Sequence, residues 1–120
     1  MAGPVTSPFG MRTHPITGRH TFHDGVDLGA PCGSAVRAAG TGTVVGVGHA
    51  GAYGLRVKVR HDGGLESSYS HLADASVSTG DSVSDSTVVG EVGSSGLSTG
   101  CHLHFGVRRN GTAVDPLTLL

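Results

Sequence analysis

His102, Leu103 and His104 stand in a stretch that reads as β-strand, so the two imidazoles point to one side. Far upstream, His23 and Asp27 lie four residues apart. On a strand that spacing puts both on one face, with Gly25 between them leaving space for an ion. Zinc takes imidazole nitrogen and carboxylate oxygen, and its catalytic sites use three protein ligands and keep one position open. His23, Asp27 and one histidine of the 102/104 pair supply that set, and the other histidine stays beside the metal. Alone, His-x-x-x-Asp reads as a polar edge and a capped turn. Together with a His-x-His inside an apolar strand, it predicts a zinc centre assembled by the fold rather than by a local finger.

His71, in Tyr69-Ser70-His71-Leu72, ends a strand. A zinc hydrolase must move protons, and no His-Glu-x-x-His helix is present to provide a glutamate. A second histidine must then do that work, for which imidazole is suited near neutral pH. His14, in Arg12-Thr13-His14-Pro15, reads as a loop residue with a lesser claim to line a cleft. His20, His49 and His61 carry no spacing signal and read as solvated.

The elements that must position these side chains are strands. The 120 residues suit one domain, and 21 glycines without a repeat, beside alternating valines, indicate a turn-rich all-β fold. Residues 55–60 (Leu-Arg-Val-Lys-Val-Arg) alternate strictly, so one face is buried and one wet. Residues 61–64 read as a hairpin turn and 65–70 as the returning strand. Further strands are expected at 22–28, 43–47 and 88–92, with Leu103, Phe105 and Val107 forming the apolar face of the His102–His104 segment. Residues 1–21 read as irregular, 30–33 as a turn, 73–75 as one turn at most, and 94–100 as a small-residue loop. No helical period is sustained. The expectation is one antiparallel all-β domain over 1–120, with little or no helix.

Eight Lys and Arg against nine Asp and Glu leave no basic stripe, so nucleic acid is not an expected partner. No apolar run approaches the ~20 residues of a membrane span. Met1-Ala2-Gly3-Pro4 has neither the charged nor the apolar region of a signal peptide. Export is expected to need a leader outside this chain, a larger parent, or lysis. A monomer is expected.

Four motifs now stand in order: Phe9-Gly-Met-Arg-Thr-His-Pro-Ile-Thr-Gly18, Phe22-His-Asp-Gly-Val-Asp27, Tyr69-Ser-His-Leu72 and Ser98-Thr-Gly-Cys-His-Leu-His-Phe105. Together they resemble the lysostaphin/LytM-type zinc endopeptidases, which cut peptide bonds in bacterial peptidoglycan. The resemblance runs from Phe9 to the Asp115-Pro116 tail. It implies a small antiparallel β-sheet with a groove over one zinc ion per chain, the N-terminal segment and the 94–100 loop forming groove walls. It implies His23, Asp27 and His104 as zinc ligands, His102 as catalytic and His71 as its partner. Tyr69 would lie near the cleft as an oxyanion or substrate contact, and His14 would be a second such contact if it lines the cleft. The implied substrate is a stem or cross-link peptide of peptidoglycan, met at the bacterial wall by a secreted, phage-delivered or lysis-released enzyme such as an antibacterial endolysin.

The chain departs from the family's pattern in three respects. Gly106 stands where a glutamate is common after His-Leu-His-Phe, Cys32 and Cys101 replace commoner residues, and 77–87 is Ser/Asp/Thr-rich where lysines are frequent. If Asp27 and His104 share the zinc that the resemblance implies, the turns carrying the two cysteines come together. A Cys32–Cys101 disulfide is then expected in preference to free thiols, in an oxidising compartment. The alternative function is a non-catalytic wall-binding or regulatory relative, for which Gly106 is the sole support. A lipoyl- or biotin-carrier reading of 77–92 fails because the sole lysine, Lys58, lies inside a strand rather than at a hairpin tip.

Overall fold

A computed structural model describes residues 4–13, 20–96 and 100–116, without the side chains of 12, 13, 20 and 21. The strands are β1 (Val5–Ser7), β2 (Gly10–Thr13), β3 (His20–His23), β4 (Val26–Gly29), β5 (Ala35–Arg37) and β6 (Gly42–His49). They continue with β7 (Leu55–Arg60), β8 (Leu65–Ala75), β9 (Ser82–Val83), β10 (Val88–Val92), β11 (His102–Arg109) and β12 (Thr112–Val114). Helical turns among the described residues are two single 3₁₀ turns, Gly51–Tyr53 and Asp62–Gly64. The protein is all-β, as its valine alternation predicts.

Ten strands form one antiparallel sheet in the order β1-β4-β11-β8-β7-β6-β9, with β12 on β11 and β10 joining β8 to β5. The period-two rule holds where the sequence is most regular. Val57 and Val59 are fully buried between Arg56, Lys58 and Arg60, and Leu103, Phe105 and Val107 are buried on the far side of β11 from its histidines. Tyr69 and Phe105, with ring centroids 5.5 Å apart, anchor a core otherwise built mainly of valine and leucine.

The structure corrects four local expectations. Residues 22–28 are not one strand: β3 pairs with β2 in a separate two-stranded sheet, the chain breaks at Asp24-Gly25, and β4 enters the main sheet. The N-terminal segment is not irregular throughout, since β1 pairs β4 and β2 pairs β3. Residues 73–75 do not turn but extend β8, held there by pairing with β10. Finally, β8 contains a bulge. Leu55 of β7 faces Leu72, whereas Val57 faces Tyr69, so Ser70 and His71 of β8 together oppose the single Arg56 of β7. His71 is the residue in left-handed conformation there, with φ 64°. The extra residue resets the alternation: Tyr69 and Leu72 both enter the core, and His71 turns to the opposite face.

Candidate metal centre

Pairing of β4 with β11 sets Asp27 directly opposite His104 and Gly29 opposite His102. β3 delivers His23 from the small hairpin. One ligand atom each from His23, Asp27 and His104 lies within 4.8 Å of the others. Asp27 Oδ1 is 3.0 Å from His104 Nδ1, 3.4 Å from His23 Nε2 and 3.7 Å from His102 Nε2. The His23, Asp27 and His104 side chains are 10%, 19% and 7% exposed, so the cluster is shielded but reachable from one side.

The imidazoles are held in defined orientations by their second nitrogens. His23 Nδ1–H donates to the Pro8 carbonyl at 2.9 Å, which turns Nε2 toward Asp27. His104 reverses the arrangement: Nε2 stands 3.1 Å from Asp24 Oδ1, and Nδ1 is in hydrogen-bond contact with Asp27 Oδ1 at 3.0 Å. This is how metal-binding histidines are supported, one nitrogen for the ion and the other for a carbonyl or carboxylate. Two imidazole nitrogens and a carboxylate oxygen with one side open match the donor chemistry of catalytic zinc. Gly25 makes the approach feasible, because a Cβ there would lie 2.9 Å from His104 Nε2 and 2.4 Å from the Phe105 carbonyl oxygen.

His71 and His102 flank this cluster with ring centroids 4.7 Å apart, and the His71 ring lies 6.1 Å from that of His104. His71 Nδ1–H donates to the Ser95 carbonyl at 2.8 Å, and His102 Nδ1–H to that of Gly100 at 3.0 Å. Both rings are therefore anchored through Nδ1. Burial pushes the His71 imidazole below its ordinary pKa, and nearby His102 and His104 act in the same direction, against the bond to Ser95. Burial would raise the Asp27 carboxyl, but the His104 and His23 imidazoles beside it outweigh burial and hold the group well below the usual carboxylate range. An open hollow lined by Thr6, Asp27, Gly29, Gly100, Cys101 and His102 adjoins the cluster.

Two expectations change here. Tyr69 does not reach the cleft: it is fully buried, and its hydroxyl accepts the Ala39 N–H at 2.8 Å and bonds Ser67. The bulge is the reason, because it separates Tyr69 from the face that His71 occupies. His61 is not simply solvated, since its ring nitrogens bond the Thr41 carbonyl and the Ser67 hydroxyl at 2.8 and 2.7 Å. His49 is exposed, while His14 and the His20 side chain lie outside the described residues. Asp24 and Tyr53 carried no weight in the sequence. Tyr53 donates its hydroxyl to Asp24, and its ring centroid lies 5.6 Å from that of His104 with the planes tilted by 47°. The acidic residue directly after His23 was the one available signal. Cys32 and Cys101 are joined as a disulfide, with Cα atoms 5.3 Å apart.

The sequence profile of peptidase family M23 matches residues 21–116. Over 115 residues the chain is 44% identical to the DD-carboxypeptidase/endopeptidase Mpg of Neisseria meningitidis, covering 96% of this chain and 26% of that protein. The chain thus spans about a quarter of that relative's length. Its fold matches a zinc-containing peptidase from Vibrio cholerae with a TM-score of 0.88 at 33% identity, over 94% of this chain and 35% of that one. The lysostaphin catalytic domain from Staphylococcus simulans matches with a TM-score of 0.84 at 31% identity, over 98% and 91% of the respective chains.

Proposed function

The chain belongs to peptidase family M23, and on that premise we propose that it is a zinc-dependent endopeptidase acting on peptidoglycan peptides at the bacterial wall. The observation that carries this reading is the meeting of His23, Asp27 and His104 in one donor cluster with His71 and His102 beside it. In this reading residues 1–120 work as one monomeric peptidase domain. A zinc ion held by His23 Nε2, Asp27 and His104 Nδ1 would supply a Lewis acid for the scissile carbonyl and the attacking water.

The chain's own residues supply the proton traffic. One of His71 and His102 accepts the proton of the attacking water at Nε2 as the new C–O bond forms. A protonated imidazole then delivers a proton to the amine nitrogen as the C–N bond breaks. The Nδ1 bonds to Ser95 and Gly100 hold both rings through these steps. Burial keeps His71 ready to accept, because its depressed pKa favours the neutral form. With five functional side chains in one place, nothing in the site favours a purely wall-binding role.

The DD activity in the Neisseria relative's name favours a D,D-peptide bond of the cross-link. Digestion of purified peptidoglycans of different cross-link chemistry, followed by mass spectrometry, tests this. Products cut at a D,D bond are expected, and intact sacculi with zinc-loaded protein would refute the reading. The finer expectation of an antibacterial lysin adds clearing of intact cells by protein supplied from outside.

A further inference from the structure

We infer that Asp24 is a positioning residue for the metal centre, supplying from the β3–β4 junction the carboxylate that orients His104. The inference rests on the proposed zinc site but concerns a residue outside the ligand set. When His104 presents Nδ1 to an ion its proton lies on Nε2, and the carboxylate that faces this nitrogen is Asp24 Oδ1 at 3.1 Å. The carboxylate is itself fixed. Its other oxygen takes the Tyr53 hydroxyl, and Arg108 Nη2 stands 3.6 Å from that oxygen. Tyr53 is in turn braced by the Arg56 guanidinium, 4.7 Å above its ring.

Glu66, which lines the same hollow, is paired with Lys58 at 2.9 Å, and position 106 supplies no carboxylate. Position 106 follows His104 on the same face of β11, and in this chain it is glycine. A Cβ there would meet the Ser68 hydroxyl at 2.8 Å and the Asp24 carbonyl at 3.6 Å, so position 106 borders the same hollow that Asp24 lines. The two ligand imidazoles are therefore supported unequally. His23 donates to a neutral carbonyl, and His104 to a carboxylate, which raises the basicity of the metal-facing nitrogen more strongly.

The test is zinc affinity of the whole chain, by competition with a chromophoric chelator, with the visible spectrum of the cobalt-substituted protein and the melting temperature of the metal-free protein. Asp24→Asn keeps shape and an oxygen acceptor but removes the charge. Zinc should bind about 10–100-fold more weakly, with altered cobalt bands and an unchanged metal-free melting temperature. Tyr53→Phe leaves Asp24 in place but loosens it, and should weaken zinc in the same direction by less; it decides the matter if the asparagine variant does not fold. Wild-type zinc affinity in the folded asparagine variant, or otherwise in Tyr53→Phe, overturns the role of Asp24 alone. A wild-type chain that takes up no zinc overturns this inference together with the zinc reading.

Discussion

Replacing Gly25 with alanine probes the closest approach in the site. The added Cβ would sit 2.4 Å from the Phe105 carbonyl oxygen, 2.9 Å from His104 Nε2 and 3.0 Å from His104 Cε1. A comfortable carbon–oxygen contact is about 3.3 Å, so β4 and β11 must part by roughly 0.9 Å. The partner atom is backbone, which cannot swing aside as a side-chain tip would. Overpacking of this kind costs about 1–3 kcal/mol. In a domain of this size that lowers the melting temperature of the metal-free protein by about 4–12 °C. The effect on metal should be larger still. Asp27 and His104 face each other across this strand pair, and ligand distances tolerate only about 0.2 Å. Zinc affinity should fall by at least the ~10–100-fold that loss of an outer-shell partner costs. Scanning calorimetry of the metal-free protein and chelator competition measure the two effects separately. If Gly25→Ala melts with the wild type and holds zinc as tightly, steric closeness at Gly25 is not what shapes the site.

Four further outcomes follow from the same geometry. His102→Ala and His71→Ala should each lower turnover by about 10²–10⁴-fold while metal analysis still finds zinc, whereas His104→Ala should lose both; equal zinc loss in His102→Ala would reverse the roles. Reducing the Cys32–Cys101 bond, which joins residues 69 apart, should lower stability in urea by roughly 4 kcal/mol in the chain-entropy model, and an unmoved midpoint on reduction would contradict it. Metal-free stability should fall on acidification, because Asp27 and His71 both have folded pKa values below their unfolded ones. The His71 contribution is complete above about pH 6.5 and is lost as pH drops through its folded value, and that of Asp27 follows below about pH 3.9. Urea midpoints against pH should show the first limb flattened in His71→Asn, a residue that tolerates left-handed backbone. Tyr69→Phe should cost about 1–3 kcal/mol by orphaning the Ala39 N–H while leaving kcat unchanged; a large fall in kcat would place Tyr69 at the substrate after all.

The parts of this site that follow a simple period were legible in the sequence. Leu103, Phe105 and Val107 had to be buried if residues 102–109 were a strand, and His102 and His104 then had to share the other face. The strict alternation of residues 55–60 likewise predicted which of Val57, Lys58 and Val59 enter the core. What broke the reading was broken periodicity. A bulge leaves no mark in side-chain chemistry here, so the resemblance placed Tyr69 near the cleft with His71, whereas the structure turns the two to opposite faces. The interruption at Asp24-Gly25 was hidden for a similar reason, since an aspartate and a glycine fit a strand edge or a break equally well. Tyr53 and Asp24 meet across 29 residues, one from a 3₁₀ turn and the other from the break between β3 and β4. No local pattern announces such a contact. The cysteine pair was legible only through the ligand set that the family resemblance implied.

The disulfide also bears on the unfolded chain. Asp27 and His104 are 77 residues apart along the sequence, but Asp27 precedes Cys32 by five residues and His104 follows Cys101 by three. In the oxidised denatured chain the two halves of the metal site therefore remain tethered on a short path. Loop-closure entropy makes their encounter easier by roughly 2 kcal/mol than in the reduced chain. Any affinity of the denatured chain for metal subtracts from the stabilisation that metal gives the native one. Zinc should accordingly raise the melting temperature of a chain carrying Cys32→Ala and Cys101→Ala, which lacks both the bond and its thiols, by more than that of the oxidised protein. The bond that makes the native fold more robust thus makes it less dependent on its metal.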